Sequence, residues 1–221
     1  WQSHPSNTHE AYRSTTMRGP RKPLVPIAQS LSELTGPVYG HESIGELDAD
    51  LTRNGATAGG EPLGERIIVE GRVVDEDGRP QADTMIEIWQ ANHHGRYNHP
   101  LDEQDKPLDP EFMGHGRAST DIKGNYWFET IKPGSVPGPG NTAQAPHINV
   151  IVFARGMLSH AFTRIYFENE ADNRNDPVLT SIEDEAHRNT LIARREETAG
   201  VILYRFDIRF QGEHETAFFD A

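Results

Sequence analysis

The sequence predicts an all-β protein: an antiparallel β-sandwich with long loops, an extended N-terminal arm and one short helix. Three observations lead there. From residue 64 onward, short runs alternate apolar and polar residues, the period of a strand with one face buried. Gly- and Pro-containing turns end those runs at short intervals, which is sandwich spacing. The first 64 residues have a different composition, with no such runs.

Each element has its own reason. Residues 66–75 alternate and stop at Glu76-Asp77-Gly78-Arg79-Pro80, where Gly admits positive φ and Pro fixes φ. Residues 84–92 read as a strand with Ile86, Ile88 and Gln90 on one face and Met85, Glu87 and Trp89 on the other. A further strand covers 124–131 and ends at Lys132-Pro133-Gly134; others cover 148–154 and 161–167. Residues 181–189 predict the helix, with Ser181 as cap and Glu183, Asp184 and Glu185 suiting its N-terminal dipole. Residues 191–196 and 201–211 form a hairpin around Thr198-Ala199-Gly200.

The domain division follows composition: 1–64 as an arm and linker expected to pack on a partner subunit, 65–221 as the sandwich. Residues 1–30 are polar, Pro-dotted and locally basic at Arg13, Arg18, Arg21 and Lys22, and such a segment makes no core alone. Thr35-Gly36-Pro37 is a turn, and 54–60 is a flexible linker. Two loops are long, 92–118 with His93, His94, Tyr97, His99 and His115, and 133–146, rich in Gly and Pro. Loops of this length in a compact domain are functional or are lids.

Bulk properties exclude several functions. The net charge is −13, which argues against nucleic acid as partner, because phosphate binding needs a basic surface. There is no Cys, so disulfides and cysteine zinc sites are excluded. No apolar run approaches the roughly 20 residues that span a bilayer, and no signal peptide opens the chain, so no membrane is expected and the expected location is cytoplasmic.

The most informative stretch is Ala145-Pro146-His147-Ile148-Asn149-Val150-Ile151-Val152-Phe153-Ala154-Arg155-Gly156. It is a proline stop followed by a strand, and alternation places His147 and Asn149 on one face, two residues apart. A His-x-His pair there would set two imidazoles side by side for a metal. The second position is Asn.

Several segments together carry a resemblance: Glu65-Arg66-Ile67-Ile68-Val69, Ile86-Glu87-Ile88-Trp89-Gln90-Ala91-Asn92, Gly95-Arg96-Tyr97, Thr130-Ile131-Lys132-Pro133-Gly134 and Tyr204-Arg205-Phe206-Asp207-Ile208. The chain resembles the protocatechuate 3,4-dioxygenase family of intradiol ring-cleaving dioxygenases, from about Arg18 to Ala221. The resemblance implies the intradiol type of β-sandwich and an enzyme of two homologous chains, α and β. It implies that only β holds Fe(3+), through two Tyr and two His. Here Tyr97 and His147 match ligand positions, whereas Val136 and Asn149 stand at the other two, and Gln144 replaces an arginine. Tyr97 and His147 therefore read as vestigial, because valine cannot ligate and an Asn amide is a weak neutral ligand.

The front of the chain resembles β-type sequences up to about Asp121, and the remainder resembles α-type ones. The resemblance also implies that an α-type chain lends its partner's site a Thr-x-Gly-Pro segment and an arginine. The matching positions are Thr35, Gly36, Pro37 and Arg155, where a guanidinium suits the carboxylate of a substrate. The expectation is thus the α-like subunit of an enzyme that cleaves an aromatic catechol carboxylate with O2, iron being held by a homologous β-type partner. Two alternatives stand beside it: a self-sufficient dioxygenase recruiting another tyrosine such as Tyr39 or Tyr126, and a non-enzymatic β-sandwich binding module.

Overall fold

The computed structural model describes residues 39, 41–55, 60–157 and 159–220, which all belong to one compact unit. Eleven strands build it: β1 (Arg66–Val74), β2 (Met85–Gln90), β3 (His115–Ser119), β4 (Asn125–Ile131), β5 (Val136–Pro137), β6 (Ala143–Gln144), β7 (His147–Phe153), β8 (Ala161–Phe167), β9 (Ile192–Thr198), β10 (Val201–Arg205) and β11 (Ile208–Arg209). Nine of them form a sheet in the order β11-β1-β10-β9-β8-β7-β2-β3, with β4 on β1. Strand β9 belongs to both halves, pairing with β8 through Ile192 and Ala193 and with β10 through 194–198. The sheet folds over itself into a nearly closed, barrel-like sandwich, and β3 lies against β4 on the far side.

Alternation explains the core. Ile67 and Val69 of β1, Ile86 and Ile88 of β2, Phe128 of β4, Ile148, Val150 and Val152 of β7, Ile165 and Phe167 of β8 and Tyr204 of β10 point inward and are buried together. The two halves are also tied by one buried amide. Gln90 donates to the Ile131 carbonyl at 2.7 Å and accepts from the Thr130 hydroxyl at 2.8 Å. Such a fully satisfied polar group costs little inside and joins β2 to the end of β4.

Four expectations need correction. The sheet is mixed, not antiparallel: β1 runs parallel to β10 and β11, and β8 parallel to β9. The long connections between those strands permit parallel pairing, which a two-residue turn does not. Strand β3 lies within a stretch read as loop. Its Gly116 and Ala118 carry no strand propensity, but a Cβ on Gly116 would meet Leu51 Cδ1 at 2.4 Å, so close packing selects Gly there. The helix spans only Glu185–Asn189 and is capped by Asp184, which accepts from the Ala186 amide at 2.9 Å. Ser181 is used otherwise, donating to the Val178 carbonyl at the end of the 3-10 turn Leu179–Ser181. Finally, the sandwich begins before residue 65. Leu51 is fully buried in the core and its amide donates to the Glu129 carbonyl at 2.8 Å. No helix among the described residues is long and apolar enough to cross a membrane.

The hairpin β9–β10 closes through Ala199 and Gly200 alone, with Thr198 opposite Val201. Both loop residues have positive φ, 52° and 80°, the requirement of a type I′ turn. Ala in that region is strained by roughly 1 kcal/mol or more, and Asn tolerates it. Ala199→Asn is therefore expected to stabilise the protein by about 1 kcal/mol in urea unfolding, and Ala199→Val to destabilise it.

Candidate functional site

The register of three strands creates one row of side chains. Trp89 of β2 stands level with Asn149 of β7, and Asn149 with Arg164 of β8; His147 stands level with Tyr166. Adjacent strands lie about 4.8 Å apart, so the row spans one sheet face. The core-facing neighbours Ile148, Ile88 and Ile165 anchor it from behind.

Loop 91–114 delivers Tyr97 over this row. Asn92 organises the turn: its Oδ1 accepts from the amides of His94 and Arg96 at 2.9 and 3.1 Å, and its Nδ2 donates to the Pro107 carbonyl at 2.9 Å. Gly95 has φ 80°, and a Cβ there would lie 2.0 Å from the Ser135 carbonyl oxygen, so the two long loops meet only because this residue is Gly. Lys106 bridges them again, donating to the Ser135 carbonyl at 2.7 Å. The second loop then forms the small hairpin β5–β6, in which Val136 faces Gln144.

These parts line an open cavity of about 740 Å³ whose walls include Trp89, Tyr97, Val136, His147, Asn149 and Arg164. All four positions read from the sequence as ligand positions thus converge. Their chemistry does not suit a ferric ion. Val136 is buried and has no donor atom. Asn149 turns its amide N–H to the Tyr97 hydroxyl at 3.0 Å. Tyr97 is held in its phenol form: burial pushes its pKa up, and the Asn149 bond and Arg164 offset this only in part. His147 keeps one free nitrogen, because Nδ1 bonds the Ala145 carbonyl at 2.7 Å. Burial, and then the Arg164 charge, lower its pKa to about 4, so the imidazole is neutral near pH 7.

Arg164 is the residue that sequence reasoning passed over. Its NH1 donates to Gln144 Oε1 at 2.7 Å and to the Tyr166 hydroxyl at 3.4 Å. A fixed positive charge therefore stands in the cavity beside the two remaining donors. The available signal was the lone charged residue of the run 161–167, on the same face as Tyr166. Gln144 is its natural complement, since an arginine at 144 would bring two guanidiniums together.

The remaining candidates lie elsewhere. Strand β7 ends at Phe153, and Arg155 follows some eight residues from His147, about 26 Å away along an extended chain. Arg155 is exposed and forms an ion pair with Asp83. Tyr39 lies near that pair, its pKa raised mainly by burial, and is therefore remote from the cavity. Tyr126 is buried in the core and donates to the Phe206 carbonyl at 2.5 Å. Thr35, Gly36 and Pro37 lie outside the described residues. Of the loop histidines, His99 lies tilted against Trp89 with ring centroids 5.6 Å apart, His93 and His94 pack on each other, and His115 sits in β3 against Glu87 at 3.6 Å.

Comparison with known proteins agrees with this architecture. Residues 34–212 match the dioxygenase family model, and residues 1–30 match the model of the protocatechuate 3,4-dioxygenase beta subunit N terminus. The chain is 45% identical over 222 residues to the protocatechuate 3,4-dioxygenase beta chain of Burkholderia cepacia, covering 98% of this chain and 94% of that one. It is 38% identical over 205 residues to the alpha chain from Pseudomonas putida, covering 90% and 99% respectively. Among solved structures, the intradiol ring-cleavage dioxygenase of Tetranychus urticae shares the fold, with a TM-score of 0.55, 20% identity and coverage of 82% of this chain and 93% of that one. With a family match over most of its length and such relatives across nearly all of it, the chain belongs to the intradiol ring-cleaving dioxygenase family.

Proposed function

We propose that this chain is the α-like, iron-free subunit of a heteromeric enzyme of the protocatechuate 3,4-dioxygenase type. The enzyme cleaves 3,4-dihydroxybenzoate with O2 to 3-carboxy-cis,cis-muconate, the ring bond between the two hydroxyl-bearing carbons breaking as both oxygen atoms enter the product. In this reading the Fe(3+) belongs to a homologous β-type partner. The observation that carries it is the cavity itself: Val136 and Asn149 stand at two of four donor positions, and Arg164 adds a cation beside the other two. Similarity to a beta chain along the whole sequence weighs less, because metal binding depends on the few side chains that reach the ion.

In the same reading the N-terminal segment up to about Pro37 lies over the partner, and Thr35, Gly36, Pro37 and Arg155 serve the partner's substrate pocket. What supports this is the position of Tyr39, two residues after Pro37, whose phenol feels the charges of both Asp83 and Arg155. The Asp83 carboxylate holds the guanidinium at the end of β7. A substrate carboxylate could take a second edge of that fork.

The full chain purified alone is expected to carry far less than one iron per chain and no visible phenolate-to-iron band. Co-expressed with a related chain bearing Tyr, Tyr, His and His, it should yield a coloured, active complex. Stoichiometric iron and colour in the chain alone would overturn the proposal.

Ligand restoration tests the role of charge. The double variant Val136→Tyr/Asn149→His is expected to remain nearly iron-free, since Arg164 still repels the ion. Adding Arg164→Gln should raise bound iron by about tenfold, because the like-charge repulsion is then gone and the restored ligand set is favourable. Metal analysis at equal protein concentration measures both.

In the assembled complex, Arg155→Ala is expected to weaken the binding of a carboxylated catechol by about 1.5–3 kcal/mol, the range of a hydrogen bond to a charged group. Catechol itself should lose much less. Equal losses for both would mean that Arg155 only holds the interface.

A further inference from the structure

The geometry points to a second role for the same cavity: it binds an aromatic monocarboxylate without any metal, with Arg164 as the carboxylate receptor. This rests on the reading that no iron lies between Tyr97 and His147.

The first observation is the state of Arg164. A guanidinium offers five N–H groups. Here one nitrogen, NH1, serves Gln144 and Tyr166, while Nε and NH2 make no hydrogen bond among the described residues. No described carboxylate lies within ion-pair distance of it. A half-buried guanidinium with an unused edge suits a planar, bidentate anion. The two acidic residues of the cavity do not compete well. Asp102 is already engaged by the Tyr97 amide at 2.8 Å and by the amide and side chain of Gln104 at 3.1 and 3.0 Å. Glu103 stands exposed at the rim.

The second observation is the wall beside it. Trp89 leaves 42% of its surface exposed in a sheet face, edge-on to Tyr97 with centroids 6.1 Å apart. Val136 and Pro137 also line the cavity. Such a slot takes a flat ring, and the volume falls in the ordinary range for small-molecule sites. The third is the polar inventory. The Tyr97 oxygen accepts from Asn149, which leaves its own hydrogen for a ligand oxygen. The cavity thus holds one cation, one hydroxyl donor, the free nitrogen of the neutral His147 and an aromatic wall, which together recognise a hydroxybenzoate-type anion.

The test uses the full chain treated with chelator, its iron content measured on the same sample. Titration calorimetry is run with 4-hydroxybenzoate, phenol and cyclohexanecarboxylate. The expected result is one site per chain for 4-hydroxybenzoate, at least about tenfold tighter than for either of the others, since each lacks one of the two recognised features. Arg164→Gln should bring 4-hydroxybenzoate down to the level of phenol. Should that variant fold poorly, Trp89→Leu at a half-exposed position serves instead, and there the preference over cyclohexanecarboxylate should vanish. Absence of saturable binding by the folded, iron-free chain, or equal binding of all three ligands, overturns this inference and leaves the functional proposal standing. Stoichiometric iron that resists the chelator overturns the functional proposal instead.

Discussion

Strand β7 is hydrogen-bonded on both sides, to β2 and to β8, while Ile148, Val150 and Val152 bury its inner face. A slip of one residue would turn those three out of the core and His147 and Asn149 into it, so the register is strongly specified. Everything at the candidate site is referenced to that register. Trp89, Asn149 and Arg164 are neighbours because the ladder makes them so, and Tyr97 and Val136 are brought to the row by loops that are themselves tied to one another.

Those loops are long, yet they are braced by buried polar contacts. Asn92 satisfies three backbone groups, Lys106 crosses to Ser135, and Asp176 accepts from the amides of Ala145, Val178 and Leu179 at 2.7, 2.9 and 2.7 Å and from the Tyr166 hydroxyl at 3.1 Å. A fully buried carboxylate is tolerable only with such a shell of donors. It positions Ala145, which in turn fixes the tautomer of His147. The scaffold of the site is therefore complete even though Val136 and Asn149 offer no anionic donor to a metal.

Charge explains why the two properties can coexist. The guanidinium of Arg164 occupies the region with a permanent cation, and the neighbouring imidazole stays neutral chiefly through burial and then through that charge. Gln144 accepts one of its protons, so the hairpin β5–β6 closes on Arg164 instead of opposing it. With Val136 and Asn149 offering no anionic donor and Arg164 supplying a cation, the cavity suits an anion better than a metal ion.

Much of this was legible in the sequence. Strands β1, β2, β4, β7 and β8 follow from alternation and from the Gly and Pro that end them, and the His147-Ile148-Asn149 spacing places an imidazole and an amide on one face. The family could be read from short segments, since the side chains that pack or turn there have few substitutes. The structure alone decided what depends on distant parts of the chain. Parallel pairing of β1 with β10 joins residues some 135 positions apart. Strand β3 pairs with β2 from within a long loop, where Leu51 leaves room only for Gly116. Arg164 enters the cavity through a register that no local pattern encodes. Local sequence determines which face a side chain takes; only the tertiary contacts determine what that face meets.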